Sequence, residues 1–453
     1  MLKTLADLRA ADEAHLIHPL YSLASHRAQG PIILVRGRGA ILEDAGGKTY
    51  IDGLSSLWNV NCGHGRVELG EAAARQMSEL AFASAYTGLS NIPAIELASK
   101  LAEIAYPRLN TVFFASGGAE ANESAFKTAR FYWKALGRPD KIKIIARNHA
   151  YHGVTLAAMS ATGISAYWSM FEPRSPGFVH IEPPYRFRYP ENVPVGQHPI
   201  DRADNLEEAI LSEGPETVAA FIAEPVQGAG GVIPPPDGYF QRVREICDRY
   251  EVLFIADEVI TGFGRTGRWF ALEHWGVEPD IMSFAKGVTS AYVPLGGIML
   301  SDDIADVLKR QPADKAYMHA YTYSGHPTTC AVGLANLAIF EREGLVARAE
   351  RVGNLLQEKL RTLMSIPIVG EVRGLGMMAA IELAQDRASR SLFPASDQIG
   401  ARVIRLALER GVLTRARGDV IFLAPPLVTT EEELDRLVQI IGESIDIVSG
   451  EIA

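Results

Sequence analysis

Cysteine is scarce: Cys62, Cys247 and Cys330 are the three present in a chain of 453 residues, and they lie far apart. No Cys-x-x-Cys pair and no disulfide framework can be built from them. This excludes a disulfide-stapled scaffold and a dithiol or zinc-ribbon site, and leads us to expect a reducing, cytoplasmic setting. An excess of positive charge is also missing, since 44 Lys and Arg stand against 54 Asp and Glu, for a net charge of −10. That balance argues against nucleic acid or an anionic membrane as partner. Long apolar runs are absent too. Residues 154–171 and 316–340 carry no Asp, Glu, Lys or Arg, but Gly, Ser and Thr interrupt both, and the second also contains His and Pro. Neither reads as a membrane span. The first residues mix acids and bases and lack the apolar segment of a secretory signal, and no internal repeat or low-complexity stretch occurs.

What the chain does have is 47% hydrophobic residues, 41 Gly and 25 Pro, enough for a large core divided by many turns. From Thr111 onward, short β-rich runs alternate with amphipathic stretches, the pattern of an α/β sheet covered by helices. Candidate strands begin at Thr111, Lys141, Val218, Val252, Ile281 and Gly297. Phe240, Val243, Ile246 and Tyr250 recur at helical spacing, so that segment is read as a helix lying on the sheet. Residues 190–199 are read as a surface loop. Beyond Gly344 the character shifts to a smaller α+β unit, closed by a helix that Thr430 and Glu433 mark with capping-box spacing. The expected division is a large domain over 60–325, with a small domain formed by 1–59 and 326–453.

Three segments carry chemistry. Ser116-Gly117-Gly118-Ala119 lies between a strand and a helix, where bare backbone N–H groups can cradle a phosphate; the same glycines also suit a plain tight turn. Asp257 and Glu258 end an apolar strand, where open α/β sheets bind ligands, although such acids often only cap a turn. Lys286 ends another apolar run. Burial would lower its pKa and make it a nucleophile toward carbonyls, whereas a lysine at a strand end commonly reaches out to water. His149 and His152 have no Cys or acidic partners at metal-ligand spacing, so no metal site is expected.

Taken together, these pieces resemble the class III aminotransferases among the fold-type-I enzymes that use pyridoxal 5'-phosphate. The resemblance runs through Glu224-Pro225-Val226-Gln227-Gly228-Ala229-Gly230-Gly231, the ADEVITGFGRTG segment from Ala256, Phe284-Ala285-Lys286-Gly287, and Tyr321-Thr322-Tyr323-Ser324-Gly325-His326-Pro327. It covers nearly the whole chain. It implies an α/β large domain with a central, mostly parallel sheet plus a smaller α+β domain. It also implies that Lys286 holds the cofactor covalently and shuttles the proton. Asp257 would pair with the ring nitrogen, Val259 and Tyr151 would pack on the two ring faces, and Gly118 and Ala119 would hold the phosphate. Many relatives carry Ser where this chain has Ala119. Thr322, reaching over from a neighbouring subunit, would help with the phosphate, which implies a homodimer with shared sites and leaves a tetramer open. Glu224 would support the site, and His152 would pack or hydrogen-bond behind it.

Trp58, in Leu57-Trp58-Asn59, and Arg415, ahead of Gly418-Asp419, resemble the subgroup acting on ω-amino acids or amines with pyruvate. A guanidinium can grip a carboxylate bidentately and swing aside for an apolar group, so Arg415 is the expected substrate switch, with Arg417 as the neighbouring alternative. Trp58, Leu20, Tyr86 and Tyr151 are the expected substrate-pocket residues. The implied reaction is ping-pong transfer from a primary amine or an ω-amino acid such as β-alanine to pyruvate. A 2-oxoglutarate preference, a decarboxylating or amino-shifting relative, and a non-catalytic α/β protein stay open as alternatives.

Overall fold

The computed structural model describes residues 4–20, 30–188 and 201–452; the expected loop at 190–199 lies outside them. At its centre is a seven-stranded sheet ordered Leu109–Ala115, Gly296–Ser301, Ile281–Phe284, Leu253–Asp257, Val218–Ala223, Lys143–Arg147 and Phe178–Ile181. Only Gly296–Ser301 runs antiparallel to its neighbours. The sheet is thus mostly parallel, and six of its strands coincide with the apolar runs read from the sequence.

Alternation along these strands explains why both faces are covered. Phe221 and Phe254 point to one face and join Phe240, Val243 and Ile246 of the helix Tyr239–Arg249 in the main core. Ala220, Ile222 and Ile255 point to the other, against Ala121, Ala125, Phe126, Ala129 and Trp133 of the helix Gly118–Ala135. Full burial of each Phe is worth roughly 1.5–3 kcal/mol, so these two layers fix the helices firmly.

Two smaller sheets flank this centre. Leu34–Arg38, Ile41–Asp44 and Thr49–Asp52 form an antiparallel meander that Val412–Leu413 extends in parallel, tying the start of the chain to its end. Val369–Leu375, Met378–Leu383, Val420–Leu423 and Arg415–Arg417 make an antiparallel sheet with Arg415–Arg417 on its edge. The closing helix Glu431–Ile452 is capped as expected: the Thr430 N–H donates to Glu433 Oε2 at 2.8 Å and the Glu433 N–H to Thr430 Oγ1 at 3.2 Å. Among the described residues no helix is long and apolar enough to cross a membrane.

Candidate active site

A cavity of about 370 Å³ opens where the central sheet's strands end, roofed by the Ser55–Trp58 turn and by the edge strand of the C-terminal sheet. Asp257, the last residue of its strand, is buried at its wall. Its Oδ2 accepts from Asn122 Nδ2 at 2.8 Å and from His152 Nδ1 at 2.7 Å, and its Oδ1 accepts the Val259 N–H at 3.1 Å. The Asn122 amide also donates to the His152 carbonyl at 2.8 Å, so one side chain locks both partners. No Lys or Arg forms a salt bridge with this carboxylate among the described residues. A buried anion without a permanent cation is poised to receive a cationic ligand group.

Lys286 does not sit on the strand as the sequence suggests. That strand stops at Phe284, and Lys286 opens a single tight turn with φ +47°, in the left-handed region that costs a non-glycine residue on the order of 1–3 kcal/mol. This turn points its amine into the cavity. Burial lowers the amine from 10.5 to about 8, against the opposing pull of Asp257 and Glu224. A neutral, nucleophilic form is therefore populated near neutral pH.

Opposite lies the start of the helix Gly118–Ala135. Its N-cap, Gly117, has no side chain to cap the first turn, and Glu120 folds back to the Ser116 N–H at 2.8 Å instead. The first-turn N–H groups thus remain available to an anion, helped by the helix dipole. Close packing maintains this cradle. A Cβ on Gly118 would stand 2.8 Å from Val259 Cγ1, and one on Gly153, at φ +117°, would stand 2.6 Å from Ala119 Cβ. Glu224 lies behind, accepting the N–H groups of Tyr151 at 3.0 Å and Gly228 at 2.8 Å while burial pushes its carboxyl upward.

On the substrate side Trp58 is held at φ +63° by a turn lashed to Asp52 and Ala424: the Ser56 N–H donates to Asp52 Oδ2 at 2.8 Å and Ser55 Oγ to the Ala424 carbonyl at 2.6 Å. Its ring leans on Phe422 with centroids 5.7 Å apart, and Tyr151 meets Tyr167 at 5.5 Å. Arg415 and Arg417 both border this space but differ. Arg417 Nη1 donates to the Gly230 carbonyl at 3.2 Å and its Nη2 to His149 Nδ1 at 3.2 Å. Burial, then Arg417 itself, hold His149 below its ordinary pKa, so its ring stays neutral and can accept. Arg415 is exposed, with no hydrogen bond or ion pair from its side chain to any described residue.

The cavity brings together Lys286, Asp257, Val259, Gly118, Ala119, Tyr151, Glu224, Trp58, Leu20 and Arg415. It does not include Thr322 or Tyr86, both exposed on the surface of the same chain. They share one region: Asn91 Nδ2 donates to the Gly325 carbonyl at 2.8 Å, and Phe82 packs edge-on against Tyr323 at 6.2 Å. Sequence reasoning missed Asn122, Tyr167 and Phe422. Asn122 lay within the Gly-Gly segment but gave no signal of its own, because its partner Asp257 is remote in sequence.

Pyridoxal phosphate fits these residues: a depressed lysine for its aldehyde, a buried carboxylate without a Lys or Arg partner for its ring nitrogen and an uncapped helix start for its phosphate. The fold and this donor set define a pyridoxal-phosphate-dependent enzyme. Comparison with known proteins narrows that class, since the class-III aminotransferase model matches residues 23–445. Diaminobutyrate–2-oxoglutarate transaminase of Halomonas elongata is 44% identical over 413 residues, 90% of this chain and 88% of that protein. Putrescine–pyruvate aminotransferase of Pseudomonas aeruginosa is 38% identical over 439 residues, 97% and 95% of the two chains. The crystal structure of a thermostable (S)-enantioselective omega-transaminase from Thermomicrobium roseum matches with TM-score 0.95 and 47% identity, covering 99% of this chain and 100% of that one. The chain belongs to the class III aminotransferases.

Proposed function

We propose that this enzyme moves an amino group from a primary amine or ω-amino acid to pyruvate, with Arg415 as the switch between carboxylate-bearing and apolar groups. The observation that carries this reading is the contrast between the two arginines: the Arg415 side chain is unpartnered among the described residues, whereas Arg417 is held by backbone carbonyls and His149. Pyruvate presents one carboxylate and needs one free cation. A dicarboxylate such as 2-oxoglutarate needs a second, and Arg417 could serve only by giving up its bonds. The Halomonas relative's acceptor makes this the reading to test against. Trp58, Leu20 and Phe422 give an amine's apolar body a wall to pack on.

The cofactor, when bound, supplies the aldehyde that takes the amino group and a ring that withdraws electrons from the donor carbon. The chain supplies the rest. Lys286 would hold the cofactor, and its amine is the group that would carry the proton at the amino-bearing carbon. Asp257, kept in place by Asn122 and His152, would hold a cationic ring nitrogen, while Gly118 and Ala119 would take the phosphate, Val259 and Tyr151 would pack on the ring and Glu224 would support the site. The same reading has two copies of the chain completing each other's site. Phe82, Tyr86, Leu89 and Tyr323 form an exposed apolar patch that a partner copy would cover, and Thr322 lies beside it. The three cysteines are free and buried, which suits a reducing cytoplasm.

The test is a panel of amines, β-alanine and alanine with purified holoenzyme, pyruvate and 2-oxoglutarate competing as acceptors. Pyruvate should be consumed faster, and Arg415→Met should weaken pyruvate while sparing amines. Faster use of 2-oxoglutarate with every donor would overturn the acceptor assignment. Sedimentation at micromolar concentration should give a dimer.

A further inference from the structure

Resting on that reading of Arg415, the structure assigns Arg417 a role of its own, as a positioning residue that sets selectivity for carboxylate substrates by seating the strand that bears Arg415. Arg415–Arg417 is three residues long and pairs on one side only, with Val420–Leu423. Such an edge has little hydrogen bonding of its own to fix it. Besides the helix Ile399–Glu409 that packs against it, the strand is tied down by the Arg417 guanidinium, which reaches the carbonyls of Ala229 at 3.4 Å and Gly230 at 3.2 Å, and His149 Nδ1. The receiving surface is rigid. Arg373 takes the next two carbonyls, Gly231 and Val232, at 2.9 and 3.0 Å, and the Gly228 N–H is bound to Glu224. A Cβ on Gly230 would lie 2.1 Å from the His149 carbonyl, so the turn and the His149 segment are packed without play.

In a strand, residues two apart share a face. Arg417 therefore fixes the origin from which the unpartnered Arg415 side chain swings. Unlike Arg373, which pairs with Glu371 and Glu382, Arg417 meets only neutral acceptors among the described residues. Its bonds orient without neutralising, so a cation is kept beside the substrate space while Arg415 stays free.

The experiment measures, on holoenzyme, the ratio of kcat/KM for alanine to that for a primary amine lacking a carboxylate. Arg417→Met should lower this ratio about tenfold, the effect of a misplaced charge-assisted contact. Arg417→Lys, which can still donate to the carbonyls, should recover part of it and guards against a variant that does not fold. In an Arg415→Met background, Arg417→Met should change the ratio less than about twofold, because the two act through one contact. Equal losses for alanine and the amine, or effects that multiply independently in the double variant, would overturn the assignment. A ratio unmoved by Arg415→Met alone would instead sink the reading of Arg415 on which it rests.

Discussion

Asn122 offers the sharpest test of how Asp257 is held. Its amide is a single donor group serving two buried acceptors, Asp257 Oδ2 and the His152 carbonyl, each at 2.8 Å. Asn122→Ala removes both bonds. A bond to a carboxylate is worth about 2 kcal/mol and one to a carbonyl about 1, so the loss is about 3 kcal/mol. Unfolding entropy of about 2.1 cal/mol/K per residue gives a chain of this length about 1 kcal/mol per degree, hence a fall in Tm of about 3 °C. Asn122→Asp is nearly isosteric yet more damaging, because it sets a second carboxyl against Asp257. Two acids that close cannot both stay ionised, and the added repulsion costs about another 3 kcal/mol, doubling the drop. The sign with pH follows. The new acid's folded pKa is raised above its unfolded value, so its penalty is largest at neutral pH and shrinks as pH falls and a proton is shared. Differential scanning of apoenzyme at fixed protein concentration, from pH 8 to pH 5, reads both effects. If the two variants melt together at every pH, the donor role of Asn122 is wrong.

Three further outcomes are expected. In apoenzyme, acylation of Lys286 followed by peptide mapping should rise with pH through a midpoint near 8, since burial favours the neutral amine; a midpoint near 10.5 would mean a solvated lysine. Borohydride reduction of holoenzyme should fix the cofactor to the peptide containing Lys286, and Lys286→Ala should lose both that adduct and turnover; adduct on another lysine would refute the site. Gly230→Ala should prevent recovery of folded protein, given the His149 carbonyl in the way, whereas Gly70→Ala, on an exposed helical position with open space around it, should raise stability by roughly 0.5–1 kcal/mol. Similar melting of the two would contradict the packing argument.

Six central strands, the helix at Tyr239 and the Thr430 cap were legible because local pattern suffices for them: apolar runs, helical spacing and a three-residue capping interval. The seventh strand, Phe178–Ile181, was not. It is a four-residue edge strand with three half-buried positions, too short to show a period. Nor did the sequence indicate that Gly296–Ser301 runs against its neighbours, since strand direction depends on how the connections cross the sheet. Thr322 and Tyr86 came from the resemblance to relatives, and the single chain leaves both on its surface.

Which groups were candidates for the site was legible in the order of residues along the chain. Lys286, Asp257 and the Gly117-Gly118 turn lie at or just beyond the ends of apolar runs, and their residue types offered a chemistry that only the resemblance to a family joined into one site. How those groups are held was decided only by packing: the left-handed turn at Lys286, the amide and imidazole that pin Asp257, and the bonds that tie down Arg417 but not Arg415. The physical reason is range. Hydrophobic periodicity is written between near neighbours, while each of these contacts joins segments far apart in the chain and exists only once the sheets have packed.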